Sequence, residues 1–163
     1  MFHLEVPQIW LKRVMPPIVQ NLIPPLAKLQ GTVLVVDDID YMRKQMSHIL
    51  RKAGVSNVIE AEEGGKAFEL LRATPENFGM VISDLEMDPM SGLHLLRILR
   101  TDQITPEPLR KIPFIMVTGN ATHATIAEVR ALGVDGFIAK PFTGATLIKT
   151  ALKVVENRLA KGN

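Results

Sequence analysis

A chain of 163 residues, 47% hydrophobic and 22% charged, fits one globular domain with a substantial core. Its net charge of +2 and pI near 9.0 are too mild to argue for nucleic acid, and no basic helix or aromatic-interleaved patch stands out. With no cysteine, disulfides, thiol nucleophiles and thiolate metal sites are excluded, in keeping with a reducing cytoplasm, and no run reaches the length of a membrane span.

Residues 1–30 form an apolar leader broken by Pro7, Pro16-Pro17 and Pro24-Pro25, which interrupt any long helix. Lys12 and Arg13 sit inside the apolar stretch rather than before it, which disfavours a signal peptide. A strong basic face for an interfacial membrane segment is also missing. A short helix over Gln8 to Met15 would bury Ile9, Leu11, Val14 and Met15 against a partner, a second copy or the domain's own surface. An unstructured leader, or a start at Met15, is the plainer reading. The functional expectation is self-association through residues 1–30. Equal sedimentation of the full chain and a chain starting at Gly31 would overturn it.

From residue 31 onward, strand and helix patterns alternate five times. The apolar run Val33-Leu34-Val35-Val36 predicts a buried strand, followed by a helix from about Asp40 to Ala53 with Met42, Met46, Ile49, Leu50 and Ala53 at helical spacing. That helix stops near Gly54. A second strand is expected near Asn57 to Ala61 and a second helix over Gly64 to Ala73. Met80-Val81-Ile82-Ser83 makes a third strand, and Leu93 to Arg100 a third helix. Thr101 to Lys111, with Pro106 and Pro108, reads as an ordered surface loop, either a neutral insertion or a partner contact. A strand over Pro113 to Thr118, a helix over Thr125 to Leu132, a strand over Val134 to Ala139 and a helix over Thr143 to Leu159 complete the pattern. The last helix carries Leu147, Ile148, Ala151, Leu152, Val155 and Leu159 on one face. Such alternation points to a parallel sheet with helices on both faces, joined by right-handed crossovers.

Ligands bind such sheets outside the carboxyl ends of the strands. Asp37 and Asp38 end the first run and Asp84 ends the third, so three carboxylates converge where their repulsion calls for a cation. All-oxygen ligands suit a hard ion such as Mg²⁺. Thr118 ends the fourth strand in a hydroxyl, and Lys140 follows the fifth with an ammonium. Acid pair, acid, hydroxyl and amine at successive strand ends make a site for handling a phosphoryl group. Taken singly, Asp38 also reads as a helix N-cap, Asp84 and Thr118 as turn residues, Lys140 as a solvated lysine and Phe137 as core. His3, His48, His94 and His123 form no ligand-spaced cluster and read as surface residues.

This ordered set resembles the receiver domain of two-component response regulators over roughly Gly31 to Leu159. Thr118 and Lys140 stand at the separation that family requires, and Asp84-Leu85-Glu86-Met87-Asp88-Pro89-Met90-Ser91-Gly92-Leu93 resembles the loop after its phosphorylated strand. The resemblance implies a doubly wound, flavodoxin-like α/β fold with five parallel strands in the order 2-1-3-4-5, occupying residues 31–160. It implies Asp84 as phosphoacceptor and Mg²⁺ held by Asp38, Asp84 and the Glu86 backbone carbonyl, with Asp37 acting through water. Lys140 would pair with Asp84 and then with a phosphoryl oxygen. Thr118 and Phe137 would be the switch pair, and Pro141 would follow a cis peptide bond. The family's usual proline comes one residue late, at Pro89 after Asp88, and its acidic position before the glycine is Ser91. Glu86 and Asn120 flank the path of an attacking water, where they would tune phosphoryl lifetime.

The expected function is that of a single-domain, cytoplasmic response regulator, a signalling protein that assists its own phosphorylation and dephosphorylation rather than an enzyme. A sensor histidine kinase or phosphotransfer protein would supply the phosphoryl group, and an output protein would bind the face from Ala124 to Leu159. Because the chain ends soon after the last helix, it is expected to act by binding rather than through a covalent output domain. Other readings are a phosphorelay intermediate that passes phosphate to a histidine, and a phosphate-independent scaffold. Haloacid-dehalogenase-type phosphatases use similar groups, but there the acid pair comes late in the chain.

Overall fold

A computed structural model describes Leu26 and residues 29–161 of the chain. The strands are β1 (Thr32–Val36), β2 (Val58–Ala61), β3 (Phe78–Asp84), β4 (Phe114–Thr118) and β5 (Gly136–Ala139). They form one parallel sheet in the order β2-β1-β3-β4-β5, the order the resemblance implied. Among residues 29–161 the helices are α1 (Asp40–Lys52), α2 (Gly64–Ala73), α3 (Gly92–Thr101), α4 (Glu107–Arg110), α5 (His123–Ala131) and α6 (Gly144–Ala160), with a 3₁₀ turn at Pro75–Asn77.

Successive strand residues point to opposite faces, which divides the core in two. Val33, Val35, Met80, Ile82, Ile115, Val117 and Ile138 pack under α1 and α6. Leu34, Val36, Val81, Phe114 and Met116 pack under α2, α3 and α5. Near-continuous apolar strands therefore follow from burial on both faces. Four helices carry side-chain N-caps that satisfy otherwise orphaned amides: Glu63, Ser91, Thr122 and Thr143 accept from Lys66, His94, Thr125 and Thr146 respectively. The Ser91 and Thr122 caps explain why α3 and α5 begin one and two residues earlier than the apolar pattern alone suggested.

Two further differences from the sequence reading concern the connectors. The segment expected to be a plain loop contains α4, with Pro106 at its N-cap and Pro108 in its first turn, positions where a missing N–H costs nothing. Thr105 and Leu109 are buried there, so the connector is part of the core. At the chain's entry, Leu26 is 1% exposed and packs into the core under α1 and α6, where Leu29 joins it half-buried. The expected helix over Gln8–Met15 and the remainder of the leader lie outside the described residues, as does His3, whereas His48, His94 and His123 are exposed. No helix of the described residues is long and apolar enough to cross a membrane.

Candidate phosphoryl site

The carboxyl ends of β1, β3, β4 and β5 meet at one edge of the sheet, and each supplies one of the reactive groups. Asp37, just past β1, is fully buried. Its Oδ1 accepts from the Ile39 amide at 2.8 Å, and its Oδ2 accepts from Lys140 Nζ at 3.0 Å. Asp84, the last residue of β3, is 5% exposed, and its Oδ1 accepts from the Leu85 amide at 3.0 Å and lies 3.2 Å from Lys140 Nζ. Asp38 is exposed, and its carboxylate makes no hydrogen bond among the described residues. Oxygens from Asp37, Asp38 and Asp84 lie within 4.8 Å of one another. Thr118 is buried at the end of β4, where its hydroxyl accepts from the Asn120 amide at 3.2 Å and its carbonyl accepts from the Lys140 amide at 2.7 Å.

Close backbone approach holds this edge in shape. A Cβ added at Gly92 would stand 2.0 Å from the Asp84 carbonyl oxygen and 2.7 Å from Ser83 Oγ, so only glycine lets α3 begin there. The bond before Pro141 is cis, as the resemblance implied, and so is the bond between Asp88 and Pro89. Beside the acids, a cavity of about 360 Å³ is lined by Asp38, Leu85, Glu86, Met87, Asp88, Ser91, Leu93 and Thr125.

The electrostatics follow from burying more acid than base. Burial pushes the Asp84 carboxyl up to about 6, with Asp37 adding to the rise and Lys140 opposing it. Burial also works against the Lys140 ammonium, yet the carboxylates of Asp37 and Asp84 outweigh it and hold its pKa above the ordinary lysine value. One ammonium thus faces a cluster of three carboxylates. An all-oxygen cluster with residual negative charge and one exposed carboxylate, unpartnered among the described residues, fits a small hard dication such as Mg²⁺.

Of the sequence candidates, Asp37, Asp38, Asp84 and Lys140 come together, and Thr118 lies at the adjoining strand end. Asp38 is not the N-cap of α1: that place is held by Ile39, which makes no side-chain cap bond. Lys140 is not a solvated lysine, its side chain being 17% exposed. The turn-hydroxyl reading of Thr118 is realised in its bond from Asn120. The Glu86 side chain is exposed at the cavity rim. Phe137 stands apart, opposite Met116 in the β4–β5 register and half-buried against the core under α2, α3 and α5.

The model of the response regulator receiver domain matches residues 33–152, spanning every one of these groups. The chain belongs to the response regulator receiver family. It is 36% identical over 124 residues to the chemotaxis protein CheY of Pseudomonas aeruginosa, a match covering 76% of this chain and 95% of that protein. It is 37% identical, again over 124 residues, to CheY-3 of Vibrio cholerae, covering 76% and 91%. Among solved structures, CheY4 of Vibrio cholerae superposes with a TM-score of 0.68 at 30% identity, covering 77% of this chain and 98% of that chain. The receiver is therefore a response regulator of two-component signalling with a CheY-like fold.

Sequence reasoning passed over Arg43, whose guanidinium reaches the Asp37 carbonyl, and the amides of Ile39 and Leu85. The only signal for Arg43 was its place in the first turn of the helix that follows the acid pair.

Proposed function

We propose that this receiver takes a phosphoryl group from the phosphohistidine of a sensor histidine kinase, or of a phosphotransfer protein, onto Asp84. The observation that carries the reading is the single Lys140 ammonium set between the buried carboxylates of Asp37 and Asp84, at 3.0 and 3.2 Å. A carboxylate oxygen of Asp84 attacks phosphorus as the phosphorus–nitrogen bond to the donor imidazole breaks, and that imidazole leaves with a proton. Most of the protein's work in such a transfer is positioning and charge neutralisation. Lys140 holds Asp84 before transfer and a phosphoryl oxygen after it. Asp38, Asp84 and the Glu86 carbonyl would hold Mg²⁺, with Asp37 reaching it through water. When bound, the ion supplies a Lewis acid that neutralises phosphoryl charge.

Phosphorylation turns the singly charged Asp84 carboxylate into an acyl phosphate carrying about −1.5 to −2 charge and three acceptor oxygens. The Thr118 hydroxyl turns from the Asn120 amide to a phosphoryl oxygen, and Phe137 moves into the space released. The readout is a changed surface between Ala124 and Leu159, recognised by an output protein. Cytoplasmic location, assistance to its own phosphorylation and dephosphorylation without turnover of an external substrate, and self-association through residues 1–30 belong to the same reading.

Intact-mass spectrometry after incubation with acetyl phosphate and Mg²⁺ tests it. The expected outcome is one base-labile phosphate adduct, absent from Asp84→Asn. No adduct, under conditions that label a known receiver, would overturn phosphoryl acceptance, and steady turnover of a phosphomonoester would favour a phosphatase.

A further inference from the structure

Arg43 ties the acid pair to the rest of the fold without touching any carboxylate of the site. Its side chain is 13% exposed and reaches back from the first turn of α1. Nη1 donates to the Asp37 carbonyl at 2.7 Å, Nη2 donates to Asp40 Oδ1 at 2.6 Å, and Nε lies 3.6 Å from Glu60 Oε2 on β2. Glu60 stands opposite Val35 in the β1–β2 register, and the Asp37 amide donates to the Ala61 carbonyl at 3.2 Å. The Asp37 carbonyl belongs to the peptide plane that joins Asp37 to Asp38. Pinning that oxygen sets the rotation of the plane, and with it the direction in which Asp38 leaves the backbone. Asp37 has other holds, on Ile39 and Lys140. Asp38 has none among the described residues, so its aim toward Asp84 depends on that peptide plane.

We propose that Arg43 is a positioning residue for a divalent cation: through the Asp37 carbonyl it aims the Asp38 carboxylate at Asp84. The proposal rests on the reading of the three carboxylates as a cation site. Groups that orient metal ligands typically cost 10–100-fold in affinity when removed, and the planar fork of arginine serves two acceptors at once where lysine serves one point. Charge alone acts the opposite way. Deleting a positive charge near a cation site tightens cation binding by relieving repulsion. A loss of affinity on removing Arg43 is therefore a signature of lost placement.

The test is Mn²⁺ binding to the full chain, read from the electron paramagnetic resonance of free Mn²⁺, with circular dichroism melting of each protein alongside. Arg43→Gln should weaken binding about tenfold. Arg51→Gln should leave it unchanged, because Arg51 also lies near Glu60, at 3.5 Å, but bonds to the Val58 carbonyl and not to Asp37. Wild-type or tighter affinity in Arg43→Gln overturns the proposal, as does an equal loss in Arg51→Gln. If Arg43→Gln does not fold, Arg43→Met, which keeps the apolar stem and removes every donor, carries the same test, and wild-type affinity there overturns the proposal too. A wild-type chain that binds no Mn²⁺ removes the cation site itself and this inference with it, which distinguishes the two failures.

Discussion

Asp84 is held as a reluctant anion. Its folded-state pKa of about 6 lies above the ordinary aspartate value near 3.8, so the metal-free native state binds more protons than the unfolded chain between those two values. The Asp84 contribution to stability is therefore full below about pH 4 and is lost as pH rises through about 6. Two pKa units correspond to roughly 3 kcal/mol. Asp84→Asn should remove that pH dependence and stabilise the metal-free chain at pH 7–8 by ~2 kcal/mol, measured by urea unfolding across pH. A variant that is less stable than wild type at pH 8 would refute this. At this scale the sequence was informative about identity and poor about partners. Asp37, Asp38, Asp84, Thr118 and Lys140 could be named from their strand ends, but not that Lys140 would share its ammonium between two buried acids. Arg43 and Gly92 were passed over because their roles are contacts to backbone oxygens, which residue type does not announce.

Among the elements, the connector between α3 and β4 departs most from its expected form, and its anchor is a charged cluster. Arg100, at the end of α3, donates to the Arg110 carbonyl at 3.0 Å and the Ile112 carbonyl at 2.7 Å, closing the end of α4. It also lies 3.5 Å from Asp135, which accepts from Arg158 of α6 and, at 2.9 Å, from the Phe114 amide at the start of β4. Burial pulls the Arg100 pKa down while Asp135 pushes back. Removing one partner of such a cluster leaves charges without compensation in a mostly buried place. Asp135→Ala should cost about 3 kcal/mol in urea unfolding, somewhat less if solvent screens the rims. Phosphorylation by acetyl phosphate should persist below the transition, because the cluster joins the amino ends of β4 and β5, opposite the acidic edge. Unchanged stability would show the cluster to be ornament. Proline spacing suggested order in this connector, yet α4 and its arginine anchor join residues far apart in the chain, which no local pattern reveals.

At the scale of the molecule, the domain's core extends upstream of the first strand. Leu26 is as buried as the strand residues it meets. Leu26→Ala in the full chain should cost about 2–4 kcal/mol, read from the urea midpoint at constant slope. A shift near zero would remove Leu26 from the core. A chain starting at Gly31 loses this residue along with the leader, so its sedimentation must be compared at equal fraction folded.

What the sequence by itself determined was the five strands, the helices between them other than α4, and the residue type at each strand end, because burial on two faces and helical spacing leave periodic marks along the chain. Together with the family resemblance, it also gave the strand order that the sheet adopts and the expectation of phosphoryl chemistry at its carboxyl edge. Only the tertiary structure decided which oxygen meets which amine, that Asp38 has no partner among the described residues while Asp37 is fully tied, and that Arg43, Arg100 and Leu26 hold elements together. Those outcomes depend on distances between residues brought side by side by sheet order and crossover, and a linear pattern carries no record of such distances.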